Sequence, residues 1–178
     1  MKRVKIAIFF ILAAILLVTA GCDQNQATTE TKQQTAPTVE AKETVVVYEP
    51  TKDGLYVQSK QVMVNKTDNM PLLALETMIA TQQADKLSVV PADTKIKSVT
   101  VQDGIATVDI DKQSLKKLNG GSTTERLFIG AIVNTLTEFK NIQKVQILLD
   151  GKKSATLNGH LSIDNPLARM TTLLEPKK

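Results

Sequence analysis

The chain has 178 residues, 22 of them Lys or Arg against 18 Asp or Glu, for a formal net charge of +4. Three of the cations, Lys2, Arg3 and Lys5, fall in the first 21 residues, which contain no acid; without them 19 basic side chains face 18 acidic ones. That balance leaves no basic field for nucleic acid, and aromatics at 3% with no Trp argue against base-stacking platforms. A single Cys and a single His exclude an internal disulfide and a multi-Cys/His metal cage.

Residues 1–21 follow a targeting pattern. A basic head precedes an uninterrupted apolar run, Ile6 to Val18, which is shorter than the ~20 residues of a spanning helix and fits a secretory signal peptide. Thr19, Ala20 and Gly21 then lead into Cys22. Small residues ending at a cysteine resemble the bacterial lipobox, with Thr19 where Leu is commonest. Cleavage before Cys22 and diacylglycerol on its thiol would place the protein on the extracytoplasmic face of the cell membrane, where several acyl chains anchor stably at ~0.8 kcal/mol per buried methylene. Residues 22–44 are then the lipidated cysteine and a tether. Asp23 to Thr44 is almost devoid of apolar side chains, too polar to offset the entropy of ordering. Its reach as a flexible coil is roughly 25 Å.

The folded part is expected over 45–170. Thr44–Tyr48 (TVVVY) reads as a β-branched strand, and Asp53-Gly54 offers a tight turn toward Leu55–Val57 and Val62–Val64. A helix is predicted to start near Pro71, capped by Asp68 or Asn69, with Leu72, Leu75, Met78 and Ile79 on one face through about Thr81. Ile96–Gln102 and Ile105–Ile110 flank a second Asp-Gly pair, Asp103-Gly104. A two-residue loop there sets Val101 opposite Ala106, Val99 opposite Val108 and Lys97 opposite Ile110, with Val99, Val101, Ala106, Val108 and Ile110 on one side. Asp109 and Asp111 share the other face, a solvated pair with too few oxygens for a hard cation.

Ser122 followed three residues later by Glu125 has the spacing of a capping box. Wound as a helix, Phe128, Ile129, Ile132, Val133, Leu136 and Phe139 fill one apolar arc, with Gly130, Asn134, Thr137 and Glu138 outside it. Gly130 within that helix suggests close approach by another backbone. Asn141 breaks the helix; Val145–Leu149 reads as a strand, and Asp150-Gly151 turns it back through Ala155 to Leu157. Asn165-Pro166 opens a last helical turn carrying Leu167, Met170 and Leu174, ahead of a tail at 171–178. The fold class is therefore α+β, a small mixed or antiparallel sheet of three hairpins with two helices packed on it.

Nothing in these segments forms a recognisable catalytic set. Gly120-Gly121 precedes a helix but lacks the strand before it and the Gly-Lys-Ser/Thr of a phosphate loop. Asp150, Ser154 and His160 are close in sequence, yet no nucleophile elbow surrounds them, and His160 reads as a turn or core hydrogen-bonder. No catalytic, cofactor-binding or metal residue is assigned, and the chain reads as a non-enzyme; the one modification site is Cys22.

With the segments placed, the chain resembles the GerMN domain of bacterial sporulation and germination lipoproteins. The resemblance rests on VVVYEPTKDGLYV, VPADTKIKSVTVQDGIATVDI, GGSTTERLFIGAIVNTLTEF, KVQILLDGK and TLNGH with Pro166 after it, most of Val45–Leu167. It implies a compact α+β domain with helices against a small sheet, similar to ring-building modules of sporulation secretion complexes, and offers no catalytic residues to carry over. The archetype has two such domains after its lipid anchor, whereas this sequence has room for one. Envelope proteins or peptidoglycan are the partners expected for such a module. The competing function is a small-ligand-binding lipoprotein associated with transport, against which the scarcity of aromatics counts.

Overall fold

The computed structural model describes residues 41–83, 88–91 and 93–176. The expected signal peptide, Cys22 and all but the end of the tether lie outside them. Strand β1, Lys42–Pro50, begins inside the stretch read as tether and pairs antiparallel with β2, Val57–Asn65, with no register shift from Lys42 opposite Asn65 to Pro50 opposite Val57. The connection is a six-residue loop rather than a tight turn. Thr51 N donates to Tyr56 O at 2.9 Å, and Thr51 Oγ1 donates to Asp53 Oδ1 at 2.5 Å. Leu55, expected at the start of the second strand, is in this loop and exposed.

Helix α1, Met70–Gln83, is capped by Asn69, whose Oδ1 accepts from Leu72 N at 3.1 Å while its Nδ2 donates to Val99 O at 3.0 Å. One side chain thus satisfies a helix end and the backbone of the next strand. Leu75, Met78 and Ile79 are buried as the helical spacing demands, and the helix runs on to bury Gln82 as well.

β3, Ile96–Gln102, and β4, Ile105–Ile110, meet at Asp103-Gly104, with φ of 50° and 76°. Two consecutive positive-φ residues match the twist of a two-residue hairpin, and glycine takes that conformation without a Cβ clash. Val101 faces Ala106 and Val99 faces Val108. Below Ser98 the register shifts, so Ile96 and not Lys97 lies opposite Ile110. The extra residue frees Lys97 to reach Asp150, Nζ to Oδ1 at 3.1 Å. Val101, expected on the core side, is 37% exposed near the hairpin end.

After a short 3-10 helix, Lys112–Leu115, comes α2, Gly121–Leu136, which leads to β5, Lys144–Leu149. β5 lies parallel to β4, Ala106 opposite Val145 and Ile110 opposite Leu149, so α2 is the crossover of a β-α-β unit. The order β3-β4-β5 is completed by β6, Leu167–Ala168, antiparallel to β5; β1 and β2 form a separate two-stranded sheet. The third hairpin is therefore only a turn. Asp150-Gly151 closes with Leu149 N to Lys152 O at 2.8 Å, but the chain then leaves, and β6 takes the place expected for Ala155–Leu157. The predicted last helical turn is likewise replaced by β6 and a 3-10 turn, Thr171–Leu173.

α2 is not amphipathic in its surroundings: every residue from Leu127 to Leu136 is buried. It packs on β1 and β5 and against α1. The fourth side is closed by the segment after 170, where Leu173 is buried; packing thus runs past the expected boundary. A Cβ on Gly130 would lie 2.7 Å from Leu173 Cδ1, so the close approach there is a side chain and not a backbone. Phe128, Ile129, Ile132 and Leu136 are among the largest fully buried side chains, each stabilising the fold by about 1.5–3 kcal/mol relative to exposure.

Candidate functional site

Glu125 is fully buried and does not cap its own helix. The N-cap is Gly120, with no side-chain bond. The carboxylate instead gathers the loop 157–161. Oε1 accepts from Leu157 N at 3.1 Å, Asn158 N at 3.0 Å and Leu161 N at 3.4 Å; Oε2 accepts from His160 N at 3.0 Å and lies 2.9 Å from His160 Nδ1. Burial pushes the Glu125 carboxyl up, but the N–H groups and the His160 ring together outweigh it and hold the group below the ordinary glutamate range. A buried charge is tolerable here because nearly every lone pair is answered.

The loop so held forms one wall of a groove of about 410 Å³. Leu115, Leu149 and Leu157 give it apolar surface; Lys112, Gln113, Lys116, Asp150 and Asn158 supply polar groups. Asn158 is pinned a second time, Nδ2 to Leu118 O at 3.2 Å. Asp111 braces the opposite side by accepting from Gln113 N at 2.8 Å. The Lys97 ammonium beside Asp150 holds that carboxyl below its ordinary range and offsets its charge.

The second feature is the outer edge of β2. In an antiparallel ladder alternate residues turn both backbone groups to the partner strand and the others turn both away. Tyr48 donates its N–H to Thr135 Oγ1 at 3.0 Å and accepts at its carbonyl from Gln82 Nε2 at 3.1 Å, so it faces away from β2. Its partner Ser59, with Val57, Gln61 and Met63, must then face away from β1. Val57 is already taken: Glu175 N donates to its carbonyl at 3.0 Å, and Leu174 bridges to it in parallel. Among the described residues nothing pairs with the edge beyond, at Ser59, Gln61 and Met63, and Met63 is 68% exposed. Where β1 meets α2, Arg169 binds Tyr48 Oη at 2.5 Å and Thr137 Oγ1 at 3.1 Å, and Tyr48 donates to Glu138 at 2.8 Å.

Of the residues singled out by sequence, Asp150, Ser154 and His160 are engaged separately, Asp150 with Lys97, Ser154 with Thr156 O at 2.8 Å and His160 with Glu125. Asp109 accepts from Gly151 N at 2.7 Å and braces the turn after β5. Among the described residues no group of three or more His, Cys, Asp or Glu is placed to hold a metal, and no helix is long and apolar enough to cross a membrane. Cys22 lies outside them. Glu125, Lys112 and Lys116 escaped sequence reasoning as a site because no motif joins them.

An α+β scaffold with an open sheet edge and a loop-walled groove is the class of protein this fold defines. The sequence model of the Germane domain, described as sporulation and spore germination, matches residues 27–155, and the chain belongs to that family. It is similar to the first GerMN domain of the sporulation protein GerM from Bacillus subtilis, at 23% identity and TM-score 0.59, covering 71% of this chain and 98% of that one. The tandem GerMN domains of the same protein match at 22% identity and TM-score 0.61 over 72% of this chain and 47% of that one, so this chain spans about half of the pair. A protein from Clostridium perfringens described as a candidate lipoprotein matches at 21% identity and TM-score 0.50, over 77% of this chain and 95% of that one. These likenesses establish a shared fold. No curated protein matches the sequence significantly.

Proposed function

We propose that the protein is a lipid-anchored, extracytoplasmic module of the cell envelope that binds and assembles other components without catalysing a reaction, in the setting of sporulation or germination. The observation that carries this reading is the open outer edge of β2, with the backbone groups of Ser59, Gln61 and Met63 directed outward beside an exposed methionine side chain. Such an edge accepts an extended partner segment by strand addition. The family supports the setting, and the polar groups that sequence alone offered for chemistry are engaged in holding loops and turns.

Cys22 at the end of the lipobox-like stretch is the attachment point in this reading, and envelope proteins or peptidoglycan are the partners. The test is capture on purified peptidoglycan together with crosslinking in cells. Enrichment of wall material or of a small set of envelope proteins is expected, and enrichment of neither overturns the reading. Cys22→Ser should abolish incorporation of labelled palmitate and release the protein from the membrane fraction. Palmitate incorporation undiminished in that variant would remove the anchor from the proposal.

A further inference from the structure

Resting on that reading, we propose that the groove beside the Glu125-held loop binds a short peptide bearing free carboxylates and small apolar side chains, the chemistry of a cell-wall stem peptide. Three observations converge on it. The first is charge. Lys112 and Lys116 lie four residues apart along one side, both exposed, and the acid in the same groove, Asp150, is paired with Lys97. Lys97, Lys112 and Lys116 together outnumber Asp150 and Asp111 around the groove, so an anionic group is favoured there, and charge-assisted bonds of that kind are the strong ones.

The second is the rest of the lining. Leu115, Leu149 and Leu157 offer apolar surface for methyl-sized side chains, while the amides of Gln113 and Asn158 carry the donor and acceptor pattern that a peptide group answers. A polyol phosphate could use the lysines and the amides but would leave the leucines without an apolar counterpart. The third is rigidity and size. One wall is fixed by four backbone N–H bonds to a single buried carboxylate, so little ordering remains to oppose binding. A volume of about 410 Å³ lies in the range of small-ligand sites and suits a few small residues, whereas a stable protein partner needs a much larger face.

The test uses the full-length protein in detergent, titrated by calorimetry with a purified disaccharide-tetrapeptide, with the same compound amidated at its carboxylates, with an acidic peptide of L-residues and with poly(glycerol phosphate). Saturable binding of the first is expected, at least tenfold weaker when its carboxylates are amidated. Lys112→Glu/Lys116→Glu, at exposed positions, should weaken it at least tenfold with an unchanged melting temperature, and Lys112→Arg/Lys116→Arg should retain it. Equal binding by wild type and the double glutamate variant, no binding of the disaccharide-tetrapeptide, or preference for the phosphate polymer would each overturn the proposal, whereas preference for the L-peptide would support the peptide class and overturn its cell-wall source. Whole peptidoglycan sacculi retained equally by both proteins would refute the groove while leaving the envelope role standing; loss of envelope enrichment altogether would refute that role.

Discussion

Replacing Glu125 by Gln tests the central anchor with almost no change in volume. An amide keeps one carbonyl oxygen, which can still serve Leu157 and Asn158, but it places an N–H₂ where Oε2 now meets His160 N and Nδ1 at 3.0 and 2.9 Å. Bonds to a charged acceptor contribute about 1.5–3 kcal/mol each, and part of the loss is recovered because the loop is near water. The net cost at neutral pH is about 3 kcal/mol, which for a domain of this size lowers Tm by roughly 10 °C. Urea unfolding should show a lower midpoint with unchanged slope, and amide exchange should accelerate first at residues 157–161. Because the folded-state carboxyl is held below its ordinary range, its contribution is fully present above that range and is lost as pH falls through the depressed value. The gap between wild type and the Glu125→Gln variant should therefore be full at pH 7 and close on acidification below the ordinary glutamate range. A Glu125→Gln protein within about 0.5 kcal/mol of wild type at pH 7 would refute the anchoring argument, since that is the scatter of a neutral surface substitution.

His160→Ala should cost only about 1 kcal/mol by the same urea assay, because the ring is 40% exposed and the backbone N–H still reaches Glu125. Leu173→Ala should destabilise by about 3 kcal/mol, as for a well-packed buried leucine, although the residue sits where a tail was expected. Gly130→Ala should be better tolerated in that background than alone, and an additive double-mutant cycle would refute their contact. Asn69→Ala should cost about 1–2 kcal/mol by chemical denaturation; Asn69→Asp should fall between, keeping the cap to Leu72 while losing the donor to Val99 O.

What the sequence made legible was local. Asp103-Gly104 marked a hairpin because its positive φ values follow from residue type, and Asp68 or Asn69 before Met70-Pro71 marked a helix start, with Asn69 the residue that caps it. What stayed hidden depended on distant partners. Ser122 and Glu125 have the spacing of a capping box, but the N–H groups of residues 157–161, more than thirty positions away, compete for the carboxylate and win. The amphipathic reading of α2 failed because Gly130, Asn134 and Thr135 face β1 and the segment around Met170, neither adjacent in sequence. Asn134 Oδ1 accepts from Met170 N at 2.8 Å, and Thr135 Oγ1 from Tyr48 N. A polar residue with a buried partner looks, in a linear pattern, like one facing water. β6 has two residues, too short to carry any alternation. The groove joins the 3-10 helix, the end of β5 and the 157–161 loop, so only the parallel β4-β5 crossover makes it visible.

The hydrogen bonds of Tyr48 bear on how the domain would carry load. Tension arriving along the chain from the N-terminal side enters at Lys42, at the open end of the β1-β2 ladder, where Lys42 faces Asn65 and pairs separate one after another. Lys42, Glu43 and Thr44 are exposed, so these first pairs separate at little force per step. Val45 and Val47 are buried in the core and resist next, and at Tyr48 the strand is gripped from its other edge as well, by Thr135 on one helix and Gln82 on the other. The first three residues of β1 thus act as a compliant leader and Tyr48 as the mechanical stop, so a pull from the N-terminal side would free only that leader before it works against the core.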